Sequence, residues 1–438
     1  MEQAATVLVG ILGSMLVSGV SEAAIAGVGM VNAINLLVMN AFTAVATGVT
    51  IIVAQYIGAQ KYKDASQCAA QSLLVSAYLS LGLALLMLVF NDAALALLFG
   101  SAEEAALADA RLYLLFSSAS LPFAALFSTE AGILRATGDT KTPMLGSLMS
   151  NCAYLLVALP CIRFFGLGIA GAGLGLAASR LAPALFLSLY LRKGRGGLIL
   201  PRFSLKLDKQ FLWPTVRVAL PAGIDSAVFN SGKLIIQVFL SGMGTAAMAA
   251  DTIVNSLSTL FSLPGLAFSI AIITVAGQSF GARRYRQTHR ELLLLTLFSS
   301  VACLVPCLIC IPLINPLLSL FGPTAEVMAV SYAPMLLYLV AAPPLWSAAF
   351  ALPAGLRATD SVTHTMWISM SMMLLRVAGT WFFGVYLGWG LMGIWFSMLL
   401  DWVGRCAFYL PRAFRFRRRN PELTAEETQT PVHNADMP

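Results

Sequence analysis

Eight ionisable residues lie inside long apolar stretches of this chain: Glu130, Arg180, Asp225, Lys233, Asp251, Arg376, Asp401 and Arg405. A charge within a bilayer is costly, so such residues are by default functional candidates. Asp225 and Asp251 are the ones best suited to ion coupling or substrate binding. A carboxylate in a low-dielectric cavity can switch with proton binding or hold Na⁺. Structural hydrogen bonding, or a place at the membrane surface, is the alternative for both. Lys233 follows Asp225 by eight residues, about 12 Å of helix rise, so the two cannot meet within one straight helix. Asp401 and Arg405 are spaced i, i+4 on one helical face, which predicts a structural ion pair. Glu130 precedes Arg135 by five residues and is expected to snorkel to the cytoplasmic surface.

Neutral polar and aromatic residues widen the set. Asn32, Asn151 and Asn255 are further ion-coupling or substrate candidates, with hydrogen bonding between helices as their default use. Trp346, Phe350, Met370 and Met373 are candidate cavity linings, because adaptable apolar walls accept diverse ligands and aromatic faces attract cations. Pro122, Pro221, Pro264 and Pro344 free backbone carbonyls and are candidate hinges.

The elements that must position these residues are membrane helices. The chain is 58% hydrophobic and 11% charged, with a mean hydropathy of +0.82, whereas soluble domains carry about 25% charged residues. Spans of roughly 20 apolar residues are predicted at 1–18, 23–56, 66–90, 111–134, 143–163, 168–191, 211–240, 246–279, 289–312, 330–355, 365–386 and 390–411. These twelve spans form an internal repeat. Gln55–Lys63, QYIGAQKYK, returns as Gln278–Arg286, QSFGARRYR, at an offset of 278 − 55 = 223. Asn32 recurs as Asn255 and Leu134–Thr137 as Leu356–Thr359. At this offset Asp251 replaces Val28, breaking the symmetry. Phe211–Gly223 has no counterpart in the first half, so the first span is expected to be short, through an altered start, a truncation or a variant first helix.

Basic residues mark one side of the membrane. Lys61, Lys63, Arg135, Lys141, Arg192, Lys193, Arg283, Arg284, Arg286 and Arg357 lie in connections after even-numbered spans, whereas the opposite loops hold Arg111 and Arg163. Both termini are therefore expected in the cytoplasm, with two lobes of parallel orientation around a central cavity. The expected divisions are a lobe at 1–191, a cytoplasmic linker at 192–210, a second lobe at 211–411 and a basic then polar tail at 412–438. The net charge of +7 follows this membrane pattern and predicts no nucleic-acid partner. Cys307 and Cys310, spaced C-x-x-C in an apolar run, are expected as packing residues, with no metal and no cofactor.

AQYIGA at 54–59, LRATGDTKTPM at 134–144, ALPAGIDS at 219–226, FSLPGLAFS at 261–269, VAGQSFGA at 275–282 and LRAT at 356–359 carry a likeness that covers the chain except its tail. The sequence resembles the multidrug and toxic compound extrusion family of transporters. The resemblance implies two six-helix lobes, alternating access and export of amphipathic, cationic compounds in exchange for Na⁺ or H⁺. It also implies acids that this chain lacks: Gly13, Phe229 and Trp346 occupy such places, and none occurs near Asn151. The usual ion site therefore does not carry over, and Asp225, Asp251 and Glu130 are the substitutes.

Two alternatives keep the architecture: a flippase for lipid-linked precursors, which would use Arg180, Lys233 and Arg376, and a coupling-deficient or truncated paralogue. An enzyme is disfavoured, since His289, His364 and His433 are expected in loops or the tail and no catalytic motif appears. The expected partners are small organic molecules and the bilayer of a prokaryotic inner membrane, with the chain acting as a monomer.

Overall fold

A computed structural model describes residues 21–99, 103–194, 198–199, 207–359 and 361–415. The described secondary structure is entirely helical. The first series comprises α1 (Glu22–Gly58), α2 (Tyr62–Val89), the short α3 (Asn91–Phe99), α4 (Glu104–Ala136), α5 (Lys141–Arg163) and α6 (Gly168–Arg192). The second comprises α7 (Lys209–Ser241), α8 (Thr245–Gly281), α9 (Tyr285–Cys310), the short α10 (Ile314–Ser319), α11 (Ala325–Trp346), α12 (Leu352–Arg357), α13 (Val362–Gly379) and α14 (Gly390–Arg415). A π-helical turn at Ser347–Ala351 joins α11 to α12, and another at Thr380–Tyr386 extends α13.

Among the described residues, ten helices are long and apolar enough to cross a membrane. The predicted span 1–18 lies outside the described residues. The span at 211–240 is present as α7, but it falls outside that set of ten; Arg217, Asp225, Lys233 and neighbouring amides make it polar. Pro122, Pro221, Pro264 and Pro344 all sit inside helices. Pro343 and Pro344 come just before the π-helical turn, as expected where prolines remove backbone donors from the ladder.

The backbone reproduces the repeat. Adding 223 to the bounds of α1, 22 and 58, gives 245 and 281, the bounds of α8. Gln60 and Arg283, also 223 apart, share a left-handed φ of 58°. Gly166 and Gly388 (φ 64° and 70°) and Gly168 and Gly390 (51° and 56°) repeat at 222.

The chain forms two compact units, 1–53 with 61–223, and 54–60 with 224–438. The division thus falls inside α7 and near the end of α1. In the first unit, Ala24, Val31, Ile34, Tyr113, Leu114 and Ile169 form one apolar cluster, and Val38, Phe42, Leu121 and Ala125 another. Small residues bring helices together, as is usual in membranes: a Cβ on Gly48 would lie 2.9 Å from Ala219, and one on Gly132 2.8 Å from the Ala46 carbonyl oxygen. In the second unit a larger cluster centres on Leu257, Phe261, Tyr338, Trp346, Trp395 and Trp402. There the two repeated Q-x-x-G motifs cross reciprocally. A Cβ on Gly58 would stand 1.9 Å from the Gln278 oxygen, and one on Gly281 2.0 Å from the Gln55 oxygen. Only glycine permits such an approach. Gln55 also donates from Nε2 to the Ala358 carbonyl at 2.8 Å.

Candidate functional site

A cavity of about 410 Å³ opens within the second unit. Lys233, Ile236 and Gln237 face it from α7, and Asp251, Thr252, Asn255, Ser256 and Thr259 from α8. Arg376 faces it from α13, and Ile394, Trp395 and Met398 from α14. The α8 residues fall at spacings of one, three and four, which puts a polar stripe on one side of that helix.

Asp251 is tied on both carboxylate oxygens. Trp395 donates from Nε1 to Oδ1 at 3.0 Å, and Asn255 donates from Nδ2 to Oδ2 at 2.8 Å. Lys233 and Arg376 both attract it electrostatically. Neither cation makes a hydrogen bond or ion pair among the described residues. Lys233 Nζ stands 4.9 Å from the centre of the Phe229 ring, and Arg376 Nε is buried without a partner.

Phe229, at a place where the resemblance implies an acid, therefore offers a ring face to a cation. The Arg405 guanidinium lies 5.9 Å from the same ring and 5.3 Å from Phe350, distances at which the ring quadrupole attracts positive charge. Asp401 and Arg405 are paired at 2.8 Å in the core, and Arg405 also donates to Ser369 Oγ at 2.8 Å. Asp225 pairs with Arg357 at 3.4 Å, each side chain about a fifth exposed. Arg357, expected in a cytoplasmic connection, is thus the last residue of α12 and the partner of a candidate coupling acid.

Other candidates fall elsewhere. Trp346 and Met373 are buried in the apolar cluster, and neither they nor Phe350 and Met370 line this cavity. Bulk explains it: Trp346 fills the space left by Gly265, where a Cβ would lie 2.2 Å away, and Met373 fills that left by Gly232 at 2.1 Å. Phe350 packs between Trp346, tilted at 5.3 Å, and Trp402, edge-on at 6.0 Å. Glu130 does not snorkel. It is 2% exposed, and Ser188 of α6 donates to its Oε1, because α4 turns this side chain towards α6. His289 and His364 belong to α9 and α13 rather than to loops; His433 lies outside the described residues, as does Gly13.

In the first unit Arg180 is the organising charge. Its Nη1 donates to the Ser117 carbonyl and to Ser120 Oγ, both at 2.9 Å, and its Nη2 to Asn35 Oδ1 at 3.4 Å. Asn32, one turn from Asn35, is exposed on α1, and Asn151 of α5 keeps a buried Nδ2 without a partner. Asn35, Ser117, Ser120 and Trp395 are site residues that sequence reasoning missed. The i, i+3 hydroxyl pair was a readable signal; nothing in one sequence links Trp395 to Asp251.

The model of the family MatE matches residues 1–162 and 221–382. The chain belongs to the MatE family. Members of this family are membrane transporters, and the chain is one, with the all-α two-lobe fold. It is 24% identical over 409 residues to the "Uncharacterized transporter YisQ" of Bacillus subtilis, covering 90% of this chain and 88% of that one. It is 25% identical over 431 residues to the "Probable multidrug resistance protein NorM" of Thermotoga maritima, covering 93% and 88%. Among solved structures, "Crystal structure of MATE in the bent conformation" superposes with a TM-score of 0.84 at 18% identity, covering 98% of this MatE chain and 94% of the other. A second, "Reverse polarity of binding pocket suggests different function of a MOP superfamily transporter from Pyrococcus furiosus", also gives 0.84, at 19% identity, with 97% and 94% covered. At such identities these structures speak for the fold.

Proposed function

We propose that this MatE chain is a secondary active exporter that moves amphipathic, cationic compounds out of the cell by alternating access, in exchange for Na⁺ or H⁺. The observation that carries the reading is the polar cavity at Asp251, a carboxylate placed among four helices beside an indole and the two cations Lys233 and Arg376. A proton or Na⁺ at Asp251 would compete with a positively charged group for one carboxylate, which is the linkage exchange requires. Asp225 is the second coupling candidate, because its 3.4 Å contact with Arg357 is long for an ion pair and partly exposed. Asp401 is unsuited, being locked to Arg405. The multidrug names of the Thermotoga and Staphylococcus aureus relatives support export of foreign compounds. Pro122, Pro221, Pro264 and Pro344 supply bending points for the cycle. The arrangement of basic residues supports cytoplasmic termini and a place in the inner membrane.

Ethidium efflux from drug-sensitive cells tests the reading, with a Na⁺ gradient or a protonophore applied and surface expression measured. Gradient-dependent efflux that D225N/D251N abolishes is the expected result. Efflux unchanged in that variant sinks the coupling assignment, and none at full expression sinks the export of such compounds.

A further inference from the structure

Charge in the cavity does not balance. Asp251 supplies one negative charge and has both oxygens engaged by Trp395 and Asn255. Lys233 and Arg376 supply two positive charges that repel each other and attract Asp251; Arg376 is also drawn to Asp401, but that acid is already paired with Arg405. Among the described residues neither cation is bonded to a carboxylate, although an unpaired cation inside a membrane protein is expensive and is kept for a function. Arg376 Nε is a buried donor with nothing to receive it. Among the described residues Lys233 lies over the Phe229 ring, where an acid would have cancelled its charge.

We propose that Lys233 and Arg376 form a seat for a carboxylate group, so that the compounds this chain prefers are amphipathic molecules carrying an ionised carboxylate, alone or together with an amine that Asp251 receives. The planar guanidinium of Arg376 offers paired donors to such a group, and Lys233 adds a point charge. Trp395, Ile236, Ile394 and Met398 supply apolar walls for the rest of the molecule. The proposal rests on the export reading, since it names the substrate class of the same cavity.

The test uses the purified full chain in nanodiscs and a matched fluorescent pair, dansyl-leucine and its methyl ester, which differ in the carboxylate. The wild-type protein is expected to bind the acid at least about tenfold more tightly than the ester, the worth of one charge-assisted hydrogen bond. In K233Q/R376Q the acid-to-ester ratio should fall to within about twofold of one. If the double variant does not fold, K233Q alone should lower the ratio by at least about threefold and K233R should keep it. Equal binding of acid and ester by the wild type, or a ratio that survives these substitutions, overturns the proposal. Ethidium export by wild-type proteoliposomes separates the two readings. Export without an acid preference refutes the carboxylate seat and leaves the exporter. A cation-dependent acid preference, with no export of either dye under any gradient, keeps the seat and refutes the exporter.

Discussion

Replacing Arg405 with methionine should be among the most damaging single changes in the second unit, and replacing its partner as well should undo much of the damage. Arg405 is 4% exposed and Asp401 fully buried, and they meet at 2.8 Å. R405M also removes the bond to Ser369 Oγ and the cation over Phe350. It leaves a buried carboxylate whose Oδ2 already lacks a partner. Removing one member of a buried pair costs about 3–5 kcal/mol. Arg376 also attracts Asp401, so the lower end, about 3 kcal/mol, applies here. In D401L/R405M no charge is stranded, and a loss of about 1 kcal/mol or less is expected. The assay is the unfolding free energy of purified protein carried from dodecyl maltoside into dodecyl sulfate micelles. A double variant as unstable as R405M, or a loss below about 1 kcal/mol in R405M, would refute the account of a mutually dependent pair.

Other perturbations follow from single contacts. G58A and G281A each drive a Cβ to about 2 Å from a glutamine carbonyl oxygen, so each should lower folded yield on gel filtration, with an overpacking cost of about 3 kcal/mol; G82A, with open space around it, should behave as wild type. R180M should cost about 2 kcal/mol in the same micelle titration, because it leaves Ser117, Ser120 and Asn35 without their shared donor. Asp139, in the connection between α4 and α5, is raised by partial burial, the largest single cause, but hydrogen bonds from Thr142, Tyr190 and the Lys141 backbone together lower it by more. Its net shift is below the ordinary carboxylate value, so its contribution is present above the unfolded value near 4 and is lost as pH falls through the folded one. D139A should therefore lower the melting temperature at pH 7 and converge with wild type in acid.

The helices were legible because lipid demands long apolar runs, and the repeat was legible because its glycines and motifs keep register. Predicted spans such as 23–56 and 246–279 fall inside α1 and α8. The i, i+4 spacing of Asp401 and Arg405 likewise named two residues that the helix does bring together. What a linear reading could not supply was direction around each helix. Trp346 and Phe350 looked like cavity walls by type, yet they face glycine and aromatic neighbours in the core. Glu130 was five residues from a surface arginine along the chain, but α6 lies beside it in space and Ser188 bonds to it there. Arg357 belonged to a basic side by position and to Asp225 by contact.

The two halves share a backbone and diverge in a small set of matched side chains. Phe116 corresponds to Tyr338 and Gly173 to Trp395, each at 222, and Val28 corresponds to Asp251 at 223. In the first half, a Cβ on Gly173 would stand 2.5 Å from the Phe116 ring, so the ring fills the space and no polar group is needed. In the second half, Trp395 occupies that position, meets Tyr338 at 6.1 Å, and gives its indole N–H to Asp251. A tryptophan only 3% exposed needs an acceptor, and a carboxylate facing a membrane interior needs donors. Each side chain therefore lowers the cost of burying the other. Once there, the acid lowers the cost of holding Lys233 and Arg376 nearby, yet it cancels only one of the two charges. The polarity of the cavity is thus carried by a pair of residues, Asp251 and Trp395, that the matched positions of the first half, Val28 and Gly173, replace with apolar groups.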